Sequence, residues 1–549
     1  MGPGLVFFFS FLLLPLSRPL PLLHLHPSRL TLRVAMAWVR DESRPGKKGG
    51  DEGGPEAPIL ALELEENETG GEKQNDTILY RGYTKIPLRT GILSVSQLPT
   101  LSSMIPWVGH LLGLQNNSAR YVNRLIASTA APIFTINIPF KRIIVASPSM
   151  DRNLSRHTSE TGLAQILAFV GPRVFSLGPK TIDVILDADP RPLHKVKFGD
   201  VDNLKALSER SGVFVWDEMD KMPASSEVDL AHWMFGLTVS ATANAVWGVE
   251  NPWRMDREFA EEFMNLSETF DSLSRPFAWL TARSAYKSRK FLSTRLRDFH
   301  QQHRESRVQT VAHGINVVAH SDPDWETNPD YFNIEMVSAL GLLATPSTLS
   351  VWLMRHLLAT PDMLRIVVQE VSQLQDIPGE NTGAPRLDIA DVRTLCPWLV
   401  AAWYENLRLH MTGVPRLARH DFNLNLPGSD PLSVSQGDIF LLPMCASNLD
   451  ANTWGPDAAS FIPGRFINAD GTLNNSLIRK VRAFGVAGNL CPGRVFGFEV
   501  AMMVVAGMLR DFDIKSIDGR DFWVPDVRRG FNVGFERYAD DVKVALARR

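Results

Sequence analysis

The chain has 549 residues, a formal charge of −3, 44% hydrophobic and 21% charged residues, and three cysteines. Such a length buries a large core, and the apolar fraction excludes a largely disordered chain. Near-neutral charge argues against a dedicated nucleic-acid binder, and cysteines at 396, 445 and 491 make neither a disulfide framework nor a CxxC zinc pair.

The N-terminus opens with the apolar run Leu5–Leu14, short of the roughly 20 residues that span a bilayer. Pro15, Pro19 and Pro21 discourage a longer helix. No Lys or Arg precedes the run, whereas a secretory signal has a basic start. Arg18, Arg29 and Arg33 all follow it, which leaves the bulk of the chain on the cytosolic side if the run inserts. Residues 1–40 therefore read as an uncleaved membrane anchor or targeting segment, with a start at Met36 as the alternative. Residues 41–76 hold eleven acidic side chains, four basic ones and seven glycines, a net −7, so the remainder carries +4. The segment 41–80 is expected to be a disordered acidic linker.

From 95 to 549 the pattern is that of one large domain. A proline-led turn at Ile105–His110 precedes two strands, 133–138 and 142–146, joined by a turn containing Pro139. Helical segments follow at 230–247, 258–270 and 287–304, the last two with charged faces. Residues 333–358 form a nearly continuous apolar helix that should be buried on most sides. Thr360 and Pro361 start another helix, and 397–410 is a further one. Short strands and turns are expected at 418–470, and an apolar alternation returns at Val542–Leu546. The fold class is mainly α with a minor β region.

The most informative stretch is Phe484-Gly-Val-Ala-Gly-Asn-Leu-Cys491-Pro-Gly-Arg-Val-Phe-Gly497. A glycine-rich loop delivers one cysteine to the start of a helix, where the dipole and free N–H groups favour a thiolate. A thiolate in an apolar pocket is one way to hold haem iron; a buried structural thiol is the plain alternative. Upstream, Glu405-Asn-Leu-Arg408 sets a carboxylate and a guanidinium on one helix face. Phe461-Ile-Pro-Gly-Arg465-Phe466 brings a second guanidinium that could fork onto Glu405 in a buried network.

Taken together, these residues resemble the cytochrome P450 family over about residues 100–549. The landmarks occur in family order, and the ordered set is far more specific than any one of them. The resemblance implies that Cys491 is the axial iron ligand and that Glu405, Arg408 and Arg465 form the structural triad behind the haem. It implies that Phe484, Asn489 and Gly493 lie against the cofactor, and that the haem sits between the long central helix and the cysteine-loop helix.

Several positions depart from the family pattern. Its loop usually reads FxxGxRxC, and here Ala487 and Asn489 replace the glycine and the basic residue. Asn489 can hydrogen-bond a propionate but cannot neutralise it, so Arg416 or Arg419 is expected to bring the charge. In the central helix the family pattern is roughly (A/G)Gx(D/E)T(T/S), against Gly341-Leu-Leu-Ala344-Thr345-Pro346 here. Thr345 keeps the alcohol, either for proton relay or bonded back to the preceding turn. Ala344 replaces the acid that usually helps deliver protons. Pro346 cannot donate to the carbonyl of Leu342 and should kink the helix, opening a groove. Such features are similar to those of the branch holding sterol 7α-hydroxylases and prostacyclin synthase.

The resemblance implies a membrane-anchored haem-thiolate monooxygenase with haem b, fed from NADPH by a separate NADPH–cytochrome P450 reductase. Its substrate would be a lipophilic small molecule such as a terpenoid, sterol or polyketide. The expected setting is a monomer on the endoplasmic reticulum membrane with a cytosolic catalytic domain and no nucleic-acid partner. Ala344 and Asn489 keep two alternatives open, a hydroperoxide isomerase or dehydratase and a non-catalytic haem-binding protein. Residues of about 170–320 are expected to line the substrate pocket.

Overall fold

The computed structural model describes residues 30–39 and 57–66 and, from 98 to 549, all residues except 104–107, 139–140, 151–153, 155–156, 158–159, 188–200, 276, 313–327, 329, 376, 379–384, 414, 426–430, 486–489 and 531. Two units are present, Met1–Ser94 and Val95–Arg549. In the first, β1 (Leu30–Val39) pairs antiparallel with β2 (Ala57–Glu66), bringing Leu32, Val34 and Met36 opposite Leu64, Leu62 and Leu60. This hairpin lies partly in the segment read as linker. Its acidic glycine-rich surroundings hide a period-two alternation of apolar residues that suits a strand. The run Leu5–Leu14 lies outside the described residues.

In the second unit α1 (Leu111–Ala127) precedes a hairpin of β3 (Ile133–Ile138) and β4 (Lys141–Ala146). Isoleucine and valine dominate both strands, as a pleated, half-buried surface favours. β5 (Thr161–Gly162) leads into α2 (Leu163–Val174), α3 (Pro179–Asp187) and α4 (Val201–Asp220), helices whose weak periodicity the sequence reading did not delimit. β6 (Ser225–Asp229), α5 (Leu230–Trp247), α6 (Arg257–Thr269) and α7 (Arg283–Gln302) follow. The central helix runs from Tyr331 to Leu358 as α8 (Tyr331–Ala339), a π-helical turn (Leu340–Ala344) and α9 (Thr345–Leu358).

Next come α10 (Pro361–Val371), the hairpin of β7 (Ile377–Pro378) and β8 (Pro385–Arg386), α11 (Ile389–Leu395) and α12 (Pro397–His410). The expected mixed region contributes β9 (Met411–Gly413), β10 (Arg416–Ala418), β11 (Phe422–Leu424), β12 (Leu432–Val434) and β13 (Ile439–Leu441). The chain closes with α13 (Arg494–Asp511), β14 (Phe512–Ser516), β15 (Gly534–Phe535) and β16 (Lys543–Arg548).

Helix therefore dominates, and the sheets are small. The widest has the order β3-β4-β13-β10-β5, with β13 parallel to β4 and the other pairs antiparallel. A second sheet, β14-β16-β6, ties the chain's end to the start of α5.

α9 packs against α5, α12 and α13 at the centre of the main core. Thirteen of the eighteen residues of α13 and fourteen of the eighteen of α5 are buried. Helices that are apolar all round belong inside, and each fully buried Leu or Met here stabilises the fold by roughly 2 kcal/mol. The central helix is the one described helix long and apolar enough to cross a membrane, and 72% of its most apolar window is buried inside the protein. It is the floor and spine of the site described next.

Candidate active site

Cys491 is the one exposed cysteine; Cys396 and Cys445 are buried, and burial pushes both of their thiols up to about 12. The loop is closed by the Cys491 N–H, which donates to the Phe484 carbonyl at 2.7 Å. Gly485 supplies a left-handed φ of 99° at the turn. Burial around the sulfur raises the Cys491 thiol pKa, while the Gly493 backbone N–H on the sulfur and the Arg494 charge pull it down. The first turn of α13 faces the central helix across the loop. A Cβ added to Gly493 would meet Leu342 at 3.7 Å, and one added to Gly497 would meet Pro346 at 3.9 Å. The cysteine and the Ala344-Thr345-Pro346 stretch are therefore on facing elements.

Pro346 does not break the central helix. The missing donor at position 346 follows a π-turn, whose wider register takes up the conflict between the proline ring and the preceding carbonyls. The departure from α-geometry thus falls directly before Pro346, where the kink is expected. Gly341 is exposed, and a Cβ there would meet nothing within 4 Å. Ser347 and Ser350 turn their hydroxyls back to the carbonyls of Leu343 and Pro346 at 2.7 and 2.8 Å. Thr345, half-buried, makes no such bond: its hydroxyl has no partner among the described residues, unlike those of Thr238 and Thr242 on α5. Ala344 is buried at 3% exposure and presents no proton-carrying group.

Behind the loop lies a closed polar network. Arg408 donates from Nε and Nη2 to Glu405 at 2.6 and 2.8 Å. Its remaining N–H groups reach the carbonyls of Asn448 (2.6 Å), Ala458 (2.5 Å) and Ser460 (3.1 Å). All five guanidinium donors therefore have acceptors. Glu405 Oε1 also accepts from Arg465 Nε at 3.3 Å and from the Ile462 N–H at 2.9 Å. Arg465 continues to the carbonyls of Trp454 and Asp457 at 2.6 and 2.7 Å. Glu405 and Arg408 are fully buried, so the pair carries a desolvation cost that only this complete satisfaction offsets.

Sequence reasoning missed three supports of this network. Asn448, fully buried, clamps the backbone of Arg482: its amide donates to the Arg482 carbonyl and its oxygen accepts the Arg482 N–H, each at 2.8 Å. Two residues on is Phe484, the loop's first anchor, so Asn448 joins the Arg408 network to the cysteine loop. Glu370 caps α12, accepting from the N–H groups of Trp398 and Leu399, both at about 3.1 Å to Oε2. Burial raises its carboxyl to about 7 despite these bonds. At the other end of α12, His410 Nε2 lies 2.8 Å from His356 Nε2 on α9, and His410 Nδ1 lies 3.2 Å from Glu536. Trp352 stacks on His410 at 3.8 Å and Phe461 on His356 at 4.3 Å. Burial brings His410 down to about 3 and His356 well below the usual value, and lifts Glu536 to about 7. No local motif marks these residues; only their burial reveals them.

Arg416 is buried on β10, opposite Phe440 of β13. Arg419 lies just beyond, its N–H bonded to the Glu160 carbonyl at 2.8 Å and its Nε buried with no partner among the described residues. Asn489, with Ala487, lies outside the described residues.

The comparisons with known proteins agree with this geometry. A family profile described as Cytochrome P450 matches residues 193–538. The chain is 24% identical over 449 residues to the cytochrome P450 monooxygenase nodJ of Hypoxylon pulicicidum, covering 77% of this chain and 84% of that one. It is 21% identical over 481 residues to the 7-alpha-hydroxycholest-4-en-3-one 12-alpha-hydroxylase of Oryctolagus cuniculus, covering 81% and 92%. A cytochrome P450 monooxygenase of Gibberella zeae is 21% identical over 449 residues. The chain belongs to the cytochrome P450 family. It is an oxidoreductase of the haem-thiolate monooxygenase type, and membership implies a haem iron cofactor.

The residues present fit that cofactor. Cys491 stands at the surface with a backbone N–H on its sulfur, Gly493 and Gly497 let the first turn of α13 approach the central helix closely, and no cluster of three or more His, Cys, Asp or Glu among the described residues competes for a metal.

Proposed function

We propose that the protein hydroxylates a lipophilic small molecule, a terpenoid, sterol or polyketide, with Cys491 as the axial ligand of haem b. The observation that carries the reading is the placement of the exposed Cys491 loop opposite the π-turn and the free Thr345 hydroxyl. The relative named as a steroid 12-alpha-hydroxylase, covered over most of its length, supports a sterol-like substrate class.

With a thiolate behind it, haem iron supplies dioxygen activation. The chain's own part is to hold and shield. Cys491 would hold the iron as the thiolate, the form that the Gly493 N–H and the Arg494 charge favour against burial. The Gly493 N–H bonds the sulfur, and the Phe484 carbonyl, which accepts the Cys491 N–H, closes the loop behind it. Glu405, Arg408 and Arg465, through Asn448, hold the loop in place. Arg416, inside the sheet, or Arg419, at its edge, brings the positive charge that Asn489 lacks. Thr345 offers an O–H with no acceptor among the described residues to the open space beside Gly341, and Ala344 leaves proton delivery to Thr345 and water. Electrons come from NADPH through a separate reductase. The protein acts as a monomer anchored by its N-terminal run to the endoplasmic reticulum membrane, with the catalytic unit in the cytosol.

The test is a reduced carbon-monoxide difference spectrum of the wild type and Cys491→Ala. A thiolate-type Soret band in the first and none in the second is expected; no such band in the wild type overturns the reading. Product formation from a sterol and terpenoid panel should require both NADPH and dioxygen. Turnover of a hydroperoxide without either would instead select the isomerase, the alternative that Ala344 favours.

A further inference from the structure

A cleft of about 340 Å³ opens on the outer side of the cysteine loop, between α11, α12, residues 473–484 and the first turn of α13. Its volume is that of a small-molecule pocket. Trp403, Phe498, Val400 and Ile478 form apolar walls, and Phe498 meets Trp403 edge-on at 6.1 Å.

The charge at its surface has one sign. Arg393 and Arg494 line the cleft, and no carboxylate among the described residues does. Arg393 lies over Phe498 at 4.8 Å and gives Nη2 to Glu499 at 2.5 Å. Arg494, exposed, gives one N–H to the neutral carbonyl of Cys491 at 3.2 Å, so no carboxylate cancels its charge there. Exposed Arg479, Lys480 and Arg482 follow the lining residue Ile478 in the chain. Tyr404 also lines the cleft, and its hydroxyl has no partner among the described residues. Burial raises its pKa and the nearby Arg393 charge opposes the rise.

These features restrict the occupant. A cation would be repelled. A wholly apolar ligand would strip water from the Tyr404 hydroxyl and the arginine N–H groups without replacing its hydrogen bonds. We propose that the cleft binds a small amphipathic carboxylate, its apolar body between Trp403 and Phe498 and its oxygens facing the Tyr404 O–H and Arg494. The site acts on the reaction centre through shared parts, because Phe484 and Arg494 belong both to the cleft wall and to the cysteine loop. An occupied cleft holds Phe484 and Arg494 in place, and the sulfur environment shifts with it.

The test titrates naphthoate and the uncharged naphthamide into the haem-loaded full-length protein by calorimetry. Phenylimidazole saturates the iron side throughout, so that only sites away from the substrate pocket report. The expected result is a naphthoate isotherm about tenfold tighter than that of naphthamide, as one charged hydrogen bond implies. Arg494→Gln and Tyr404→Phe should each weaken naphthoate by about three- to tenfold, and Val400→Trp should abolish the isotherm by filling the cleft. Carbon-monoxide spectra verify that each variant is folded, and the exposed Arg494→Gln decides the matter if Val400→Trp does not fold. Equal affinity for the two probes, or an unchanged isotherm in Arg494→Gln, overturns the proposal.

Discussion

Behind the cysteine loop every strong donor has an acceptor; on the facing helix the key hydroxyl has none. Arg408 is saturated by a carboxylate and three carbonyls and sits under 1% exposed, whereas Thr345 is half-buried and bonds nothing among the described residues. The first region is a framework: its polar groups fix positions, and any one removed strands others in a dry interior. The second holds an unpaired hydroxyl beside an open glycine, and under the proposed function it is the working surface. Stability and chemistry are thus assigned to different sides, and mutations should separate them.

The contrast is most easily broken at Glu405. Glu405→Ala should destabilise the fold by about 3–5 kcal/mol, since it leaves Arg408 charged and buried, and should abolish the thiolate-type carbon-monoxide spectrum. Urea unfolding and that spectrum measure the two effects; retention of both would show that the network is not a framework. Asn448→Ala removes two backbone hydrogen bonds and should cost roughly 1–3 kcal/mol. It should also raise the fraction of protein lacking the thiolate Soret band, a spectroscopic effect that a remote packing defect would not produce.

The histidine pair sharpens the comparison through pH. Both imidazoles are held neutral when folded, His410 near 3, while the unfolded chain protonates near 6.5. Their contribution is therefore full above pH 6.5 and declines as pH falls below it, by about 1.4 kcal/mol per histidine for each pH unit. Glu536 has the opposite sign: with its carboxyl raised from 4.5 to about 7, its contribution is full below 4.5 and is lost as pH rises through 7. A His356→Phe/His410→Phe double variant should flatten the acid limb of a Tm-against-pH curve below 6.5; an unchanged limb would refute that assignment.

The smallest stability effect belongs to Thr345. Thr345→Ala should shift stability by no more than about 0.5 kcal/mol, because no hydrogen bond is lost, yet it should reduce product formed per NADPH consumed. Unchanged coupling would remove Thr345 from the proton path. Ser347→Ala, which loses a back-bond to Leu343, is the control expected to leave coupling intact.

Much of the framework was legible in the sequence because it is carried by local patterns. The apolar runs of α5, α9 and α12 and the short Ile- and Val-rich runs of β3 and β4, split at Pro139, specify helices and strands with little tertiary help. Glu405, Arg408 and Arg465 were recognisable because their spacing and order are distinctive. Asn448, Glu370 and the His356–His410–Glu536 group were not, since each is an ordinary residue whose role comes from contacts across dozens to more than a hundred positions. The π-turn before Pro346 was not legible for a related reason: propensity identifies the conflict at a proline but not the helix type that accommodates it.

That π-turn sets the angular phase of everything after it. A helix advances about 100° per residue, so one residue more in the turn rotates the face of Thr345–Leu358 relative to that of Tyr331–Ala339. Deleting one residue within 340–344 would keep the composition of the helix almost intact yet swing Thr345 by about 100°, changing the face it shares with Gly341. The half of the helix that carries Thr345 is therefore addressed by counting as much as by chemistry, and single-residue insertions or deletions there offer a way to redirect it.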